Sequence, residues 1–167
     1  MGGPTCRAAG AGPCKATLGE SNLIRITYVS RARSKLPLDL KDILAVTRPN
    51  NTRLRVTGAL CFLDGAYLQL LEGERDAVQK LYQVIKDDPR HSDAKVLTHT
   101  SITERVFPNW SMALLTWNEE TRDIFLRHNP GAGVDLYAAN PATVERMFVE
   151  LGRSSNWQAV KPLSEAP

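Results

Sequence analysis

An uncharged amide stands in the middle of an apolar strand in this chain. Gln69 lies in segment 57–73, whose centre is Asp64-Gly65, a strong signal for a two-residue type I′ hairpin turn. This turn predicts the cross-strand pairs Leu63–Ala66, Phe62–Tyr67 and Leu60–Gln69. A buried carboxamide without a partner costs about 1–3 kcal/mol, and its donor and acceptor ends can exchange by rotation. Gln69 is therefore either a ligand contact or one half of a buried structural bond.

The elements before the hairpin follow from hydrophobic periodicity. Alternation over 23–30 predicts a strand with Tyr28 on its more apolar face. A helix is predicted next, because apolar residues recur at helical spacing at Leu40, Ile43, Leu44 and Thr47. Since Pro49 disfavours helix at the residue before it, Asn50 and Asn51 are expected at the helix exit.

The elements after the hairpin complete an α+β pattern. A helix is predicted over 74–88, with Val78, Leu81 and Ile85 on one face and Pro89 at its end. Segment 94–102 is a weaker strand candidate. Segment 110–117 is a clearer strand, whose alternation puts on one side Trp110, Met112 and Leu114. The order β-α-β-β-α-β-β predicts a ferredoxin-like sheet with two helices on one face.

The opposite face of the hairpin is also apolar and needs a cover. Two C-terminal helices can supply it: one capped by Asn118, the other started by Asn140-Pro141 and stopped by Gly152. The expected organisation is a disordered extension over 1–22, a domain over 23–117, a helical cap over 118–152 and a flexible tail over 153–167. The lone Trp157 of that tail is expected to be mobile or to meet a partner.

Composition excludes several classes of protein. The chain has 167 residues, 43% hydrophobic, and a net charge of +3 that is spread thinly, so we expect one soluble domain and no nucleic-acid partner. Three cysteines favour neither a disulfide framework nor a zinc site, and a reducing cytoplasm fits best. No apolar run reaches the ~20 residues of a membrane span. No Rossmann, Walker A, zincin or Gly-x-Ser-x-Gly motif occurs, so we do not expect an enzyme.

Three short patterns in order resemble the BLUF family of blue-light sensors that use flavin. They are Tyr28-x-Ser30, Asn50-Asn51-x-x-x-x-x-Thr57-Gly58 and Gln69-x-Leu71-Glu72-Gly73. Asp87-Asp-Pro-Arg-His91-Ser and Phe107-Pro-Asn-Trp110-Ser-Met112 extend the match, which runs from about Leu23 to Leu115. The resemblance implies FAD, bound without a covalent bond between the two helices of a ferredoxin-like domain. It alone favours FAD over FMN.

The resemblance also implies roles for polar residues that have plainer explanations. Tyr28 is implied as the redox partner of the photoexcited flavin and Gln69 as the relay, although a buried tyrosine is by default a core residue. A reversed amide would give the flavin C4 carbonyl a new donor and shift the absorption to the red. Asn51, and more weakly Asn50, is implied at the flavin ring edge. The plainer reading of Asn51 is a turn residue at a helix end.

The remaining implied contacts are aliphatic or cationic. Ile43 and Ile85 align with the walls that sandwich the ring, which is the same burial as in an ordinary core. Arg90 is implied at a pyrimidine carbonyl or a phosphate, and His91 near the ring or the ribityl chain. Both could instead form a solvated basic cap at the helix end.

The last strand is implied to carry the signal. Trp110 or Met112 is expected beside Gln69, and the sequence leaves open which one. The output is a displacement of this strand and its covering helices, read by a second copy of the chain or by a separate effector protein.

Two other functions remain open at this point. One is a ferredoxin-like acyl phosphate hydrolase, which would use an Arg and an Asn at a phosphoryl group. The other is a cofactor-free interaction module in which Gln69 and Tyr28 bond only each other.

Overall fold

The computed structural model describes residues 22–33, 40–131 and 133–158. Within them, six strands form one sheet of order β4-β1-β3-β2-β5-β6, in which β2 and β5 are parallel and every other pair is antiparallel. The elements in chain order are β1 (Leu23–Ala32), α1 (Leu40–Arg53), β2 (Thr57–Leu63), β3 (Ala66–Glu74), α2 (Arg75–Asp87), β4 (His91–Ser101), β5 (Ala113–Leu115), α3 (Glu119–His128), a 3-10 turn (Leu136–Ala138), α4 (Val144–Gly152) and β6 (Trp157–Gln158).

The hairpin of β2 and β3 has the predicted register, with Leu60 opposite Gln69. Asp64 and Gly65 have φ angles of +49° and +74°, as the two central residues of a type I′ turn require. This register fixes which residues of β3 face which helices. Gln69 and Leu71 lie on one face of the sheet, and Leu70 and Glu72 lie on the other.

Each face of the sheet packs against one pair of helices, as the sequence predicted. The cluster under α1 and α2 includes Ile24, Ile26, Tyr28, Leu44, Leu60, Leu71, Val78 and Leu81. The cluster under α3 and α4 includes Val29, Cys61, Leu68, Leu70, Phe125, Met147, Phe148 and Leu151. The predicted architecture, a ferredoxin-like sheet with a C-terminal helical cover, is confirmed.

Helix α1 is longer than predicted, because it continues through Pro49 to Arg53. Asn50 and Asn51 therefore lie in its last turn and not beyond its end. The helix ends in a Schellman motif: the N–H of Val56 donates to the Asn51 carbonyl at 2.9 Å, and Arg55 adopts a φ of +53°. Arg55, not Asn51, is thus the left-handed residue at this helix end.

Strand β5 is shorter than predicted, and the face assigned to Trp110 is wrong. Regular pairing covers only Ala113–Leu115, so the two-residue alternation does not extend back to Trp110. Met112 packs under α1 and α2. Trp110 lies on the opposite face, where its ring stacks on that of Phe107 at 5.2 Å between centroids and contacts that of Trp157 at 5.6 Å.

The C-terminal elements agree with the sequence only in part. Asn118 caps α3 through a reciprocal pair of bonds with Thr121, as predicted. Helix α4 begins at Val144, three residues after Pro141. Trp157 belongs to β6, which pairs with β5, and its ring N–H donates to the Leu151 carbonyl at 2.8 Å, so it has partners within the chain itself. Residues 1–21 of the predicted extension and 159–167 of the predicted tail lie outside the described residues.

No helix within the described ranges is both long and apolar enough to cross a membrane.

Candidate cofactor site

A cavity of about 330 Å³ opens between α1 and α2 above the sheet, within the size range of small-molecule sites. Eight of the ten residues predicted from the sequence line it: Ile43, Asn50, Asn51, Gln69, Ile85, Arg90, His91 and Met112. Tyr28 lies behind Gln69, and Trp110 lies on the other face of the sheet. One local site therefore brings together nearly the whole predicted set.

A row of three side chains lies at the floor of the cavity, where Gln69 and Met112 line it and Tyr28 lies behind Gln69. The hydroxyl of Tyr28, which is fully buried, donates to Gln69 Oε1. Gln69 Nε2 in turn donates to Met112 Sδ at 3.4 Å. Met112 is thus the residue beside Gln69. Both ends of the Gln69 amide are engaged, and its oxygen faces Tyr28.

Burial keeps the Tyr28 phenol neutral. Loss of solvent raises the pKa of Tyr28 far above its ordinary value, and the neighbouring hydroxyls of Tyr82 and Tyr67 and the Asp88 carboxylate raise it further. The ring of Tyr82 packs edge-on against that of Tyr28, with centroids 5.1 Å apart. Tyr28 is therefore a neutral donor whose proton has a defined acceptor.

Helix α1 and strand β2 hold the segment that carries Met112. Three consecutive carbonyls are bonded: Trp110 by the N–H of Gly58 at 3.0 Å, Ser111 by Asn51 Nδ2 at 2.8 Å and Met112 by Arg48 Nε at 3.0 Å. Helix α1 is thereby bonded to Met112, the residue beside Gln69, and to Ser111 before it. These tertiary bonds also account for the continuation of α1 beyond Pro49.

The other end of the Asn51 amide has no partner in the part of the chain that the structure describes. Asn51 is fully buried, and its Oδ1 is without a hydrogen bond among the described residues. A buried acceptor of this kind fits a ligand with an N–H. The flavin ring edge carries such an N–H beside its carbonyls, so the donor set of the cavity fits FAD.

Arg90 and His91 lie at one end of the cavity. The Arg90 guanidinium binds the Asp88 carboxylate, with Nη2 to Oδ2 at 2.6 Å, and this contact lowers the pKa of Asp88 to about 2. His91 Nδ1 lies 2.8 Å from Ser30 Oγ, and burial lowers the pKa of His91 despite the nearby Asp88. A neutral ring and a paired cation therefore stand at this end.

Sequence reasoning missed several residues that line the cavity. Val46 and Val84 line the cavity and are 71% and 67% exposed, whereas Ile43 and Ile85 on the same two helices are half-buried. Asp88 and Tyr67 also line it. The predicted hairpin already places Tyr67 on the face of Gln69, two residues before it in β3, but assigns it no role at the site.

The cavity combines aliphatic walls with a few convergent amides and a phenol, and it lies on a ferredoxin-like sheet. These features define a domain that holds a flat cofactor. The family described as "BLUF: Sensors of blue-light using FAD" matches this chain over residues 23–113. The chain belongs to the BLUF family, and FAD is the cofactor of that family. The prediction of a blue-light sensor is confirmed by the family's description.

Known relatives agree with this assignment. The photoactivated adenylate cyclase subunit beta of Euglena longa is 38% identical over 108 residues, which are 64% of this chain and 13% of that protein. The structure of BlsA in its ground state is 31% identical with a TM-score of 0.71, and the match covers 83% of this chain and 91% of that one. The dark-state structure of the BLUF protein BlrB is 30% identical with a TM-score of 0.62, covering 78% and 98%.

Proposed function

We propose that the cavity between α1 and α2 holds FAD, and that Tyr28 and Gln69 carry the light reaction. The hydrogen-bonded row Tyr28–Gln69–Met112 on the cavity floor carries this proposal. The proposed contacts are those of the lining residues Ile43, Asn50, Asn51, Gln69, Ile85, Arg90 and His91. Bound FAD supplies the absorption of blue light and an excited state that accepts an electron.

Tyr28 is the proposed electron donor. An oxidised phenol must lose its proton, and Tyr28 already donates that proton to Gln69 Oε1. The electron therefore leaves Tyr28 as its proton passes to the amide oxygen. When the electron returns, the proton returns to Tyr28 as well, so no net charge is left in the buried site.

Gln69 is the proposed relay, because a rearranged Gln69 amide can persist after the electron and the proton have returned to Tyr28. An amide protonated at its oxygen can rotate or change its tautomer, and either event exchanges its donor and acceptor ends. A rotated amide presents oxygen to Met112 Sδ in place of an N–H. The weak bond to Met112 is then lost, and the hydrogen bonding toward FAD changes with it.

The segment before β5 is the proposed exit of the signal. On the far face of the sheet, Glu72 accepts from the N–H groups of Val106 and Phe107 at 2.9 and 3.0 Å. Arg25 binds Glu72 through Nη2 at 2.8 Å and reaches Glu145 of α4 through Nη1 at 2.9 Å. A shift of segment 105–112 therefore acts on α4 through two charged side chains.

The proposed output is a protein contact made by the C-terminal cover. In this organisation, 23–117 is the sensor domain and 118–152 is the cap that responds to it. A second copy of the chain or a separate effector protein would read the response. The chain spans 13% of the length of the cyclase subunit from Euglena longa, so any activity of such a partner is a proposal. A buried free thiol, Cys61, supports a reducing cytoplasm as the location.

Two substitutions test the light reaction. Tyr28→Phe removes the phenol and Gln69→Leu removes the amide, so both variants should retain flavin but lose the reversible red shift under blue light. Absorption spectra before and after illumination measure both effects. Gln79→Leu makes the same chemical change at an exposed position of α2 and should respond like the wild type. A normal red shift in Tyr28→Phe or Gln69→Leu would contradict the mechanism.

A further inference from the structure

The hydroxyl of Tyr67 is buried beside the cavity and bonds none of the described residues. Tyr67 is 2% exposed and lines the cavity, and its hydroxyl has no hydrogen-bond partner within the described part of the chain. Buried hydroxyls nearly always have a partner, because leaving one unpaired is destabilising. An unpaired hydroxyl at the wall of a ligand cavity indicates that the ligand supplies the missing partner.

The ring of Tyr67 is packed against two other aromatic rings, which hold its hydroxyl at the cavity wall. It packs between the rings of Phe62 and His91, each with a centroid distance of 4.7 Å. His91 is held in turn by its 2.8 Å contact with Ser30. Gln69 lies two residues further along β3 on the same face, so the two side chains reach different parts of one ligand.

We propose that Tyr67 is a further FAD-binding residue, whose hydroxyl donates a hydrogen bond to a polar atom of the bound cofactor. The inference deepens the proposed function and rests on FAD binding in this cavity. Burial raises the pKa of Tyr67, so the group is a neutral donor at physiological pH.

Tyr67 differs from Tyr28 in the role that its surroundings permit. Tyr28 has a proton acceptor in Gln69, whereas Tyr67 has none among the described residues. Without a route for its proton, Tyr67 is a poor competitor for the electron transfer assigned to Tyr28. Its contribution is therefore to cofactor affinity and not to the light reaction.

The test is Tyr67→Phe in the full chain, with FAD titrated into protein stripped of flavin. Loss of one hydrogen bond should raise the Kd for FAD about five- to tenfold. The same change removes an unpaired buried hydroxyl, so the stripped variant should be at least as stable to urea as the stripped wild type. The red shift of the loaded variant should persist.

Tyr137→Phe is the matched control. The Tyr137 hydroxyl donates to the Asp93 carbonyl at 2.9 Å, away from the cavity. Its loss should lower stability and leave the Kd for FAD unchanged, the opposite pattern to Tyr67→Phe.

Three outcomes would overturn the inference. If Tyr67→Phe binds FAD like the wild type, or if it loses stability equally with and without FAD, the hydroxyl has a structural partner and not a cofactor partner. If the stripped wild type itself takes up no FAD, the proposed function fails together with the inference. A normal wild-type Kd with an unchanged variant rejects Tyr67 alone.

Discussion

Substitution of Glu72 by Gln should separate the light reaction from its output. Glu72 is fully buried on the face of β3 opposite Gln69, and its carboxylate accepts from Arg25 and from two backbone N–H groups of segment 105–107. The substitution keeps the shape of the side chain. It removes the charge and turns one acceptor oxygen into an NH₂ group that faces a donor.

The size of the effect follows from these contacts. Breaking a buried ion pair costs about 3–5 kcal/mol when the other charge is left alone. Arg25 is 8% exposed but keeps its 2.9 Å contact with Glu145, which offsets part of that cost. We therefore expect Glu72→Gln to lose about 3 kcal/mol of unfolding free energy, a large part of the roughly 5–15 kcal/mol that a domain of this size has.

Two measurements check this prediction. Urea unfolding in the dark gives the stability, with Glu145→Gln as a control that should lose only about 1 kcal/mol, because that carboxylate is partly exposed. Hydrogen exchange in dark and light follows the signal. The variant should keep its red shift and the light-dependent change in 105–112 but lose the change in α4. Wild-type stability, or a normal response of α4, would refute the reasoning.

Two further predictions concern stability. A Cβ on Gly58 would lie 2.1 Å from the Leu70 carbonyl oxygen, so Gly58→Ala should lower the free energy of unfolding in urea by about 3 kcal/mol. The control Gly65→Ala should lower it by only about 1 kcal/mol, because there only the φ of +74° opposes a side chain. Equal losses in the two variants would contradict this. The pKa of Asp88 is lowered from 3.8 to about 2, so its stabilising contact with Arg90 is present above pH 4 and lost as the pH falls toward 2. Screening of the half-exposed Arg90 limits this loss to about 1 kcal/mol, and Arg90→Gln should abolish it in flavin-free protein; an unchanged pH profile in Arg90→Gln would refute it.

Local patterns in the sequence were enough to predict the hairpin and most of the cavity. The Asp64-Gly65 turn fixes the register of β2 and β3 from neighbouring residues alone, and the register decides that Gln69 faces α1 and α2. The helical spacing of apolar residues in α2 similarly places Ile85 at the cavity. These positions depend on contacts between residues close in the chain, which sequence reasoning handles well.

Positions that depend on distant contacts could not be predicted in this way. Helix α1 passes Pro49 because Arg48 and Asn51 bond carbonyls of segment 110–112, some sixty residues later in the chain. Trp110 leaves the alternation of β5 because aromatic rings from the 105–107 segment and from β6 receive it on the far face. No local pattern in the sequence records these long-range partners.

The parallel pairing of β2 with β5 sets an order for the folding of the chain. The hairpin joins neighbouring residues and can form early, whereas Ala59 and Ala113 must meet across about a third of the chain. Such non-local pairing is slow, because the entropy of closing the loop is lost before any contact is gained. Met112, which directly precedes β5, reaches Gln69 only after that closure. We therefore expect a newly made chain to acquire its pigment late, after the last strands have joined the sheet.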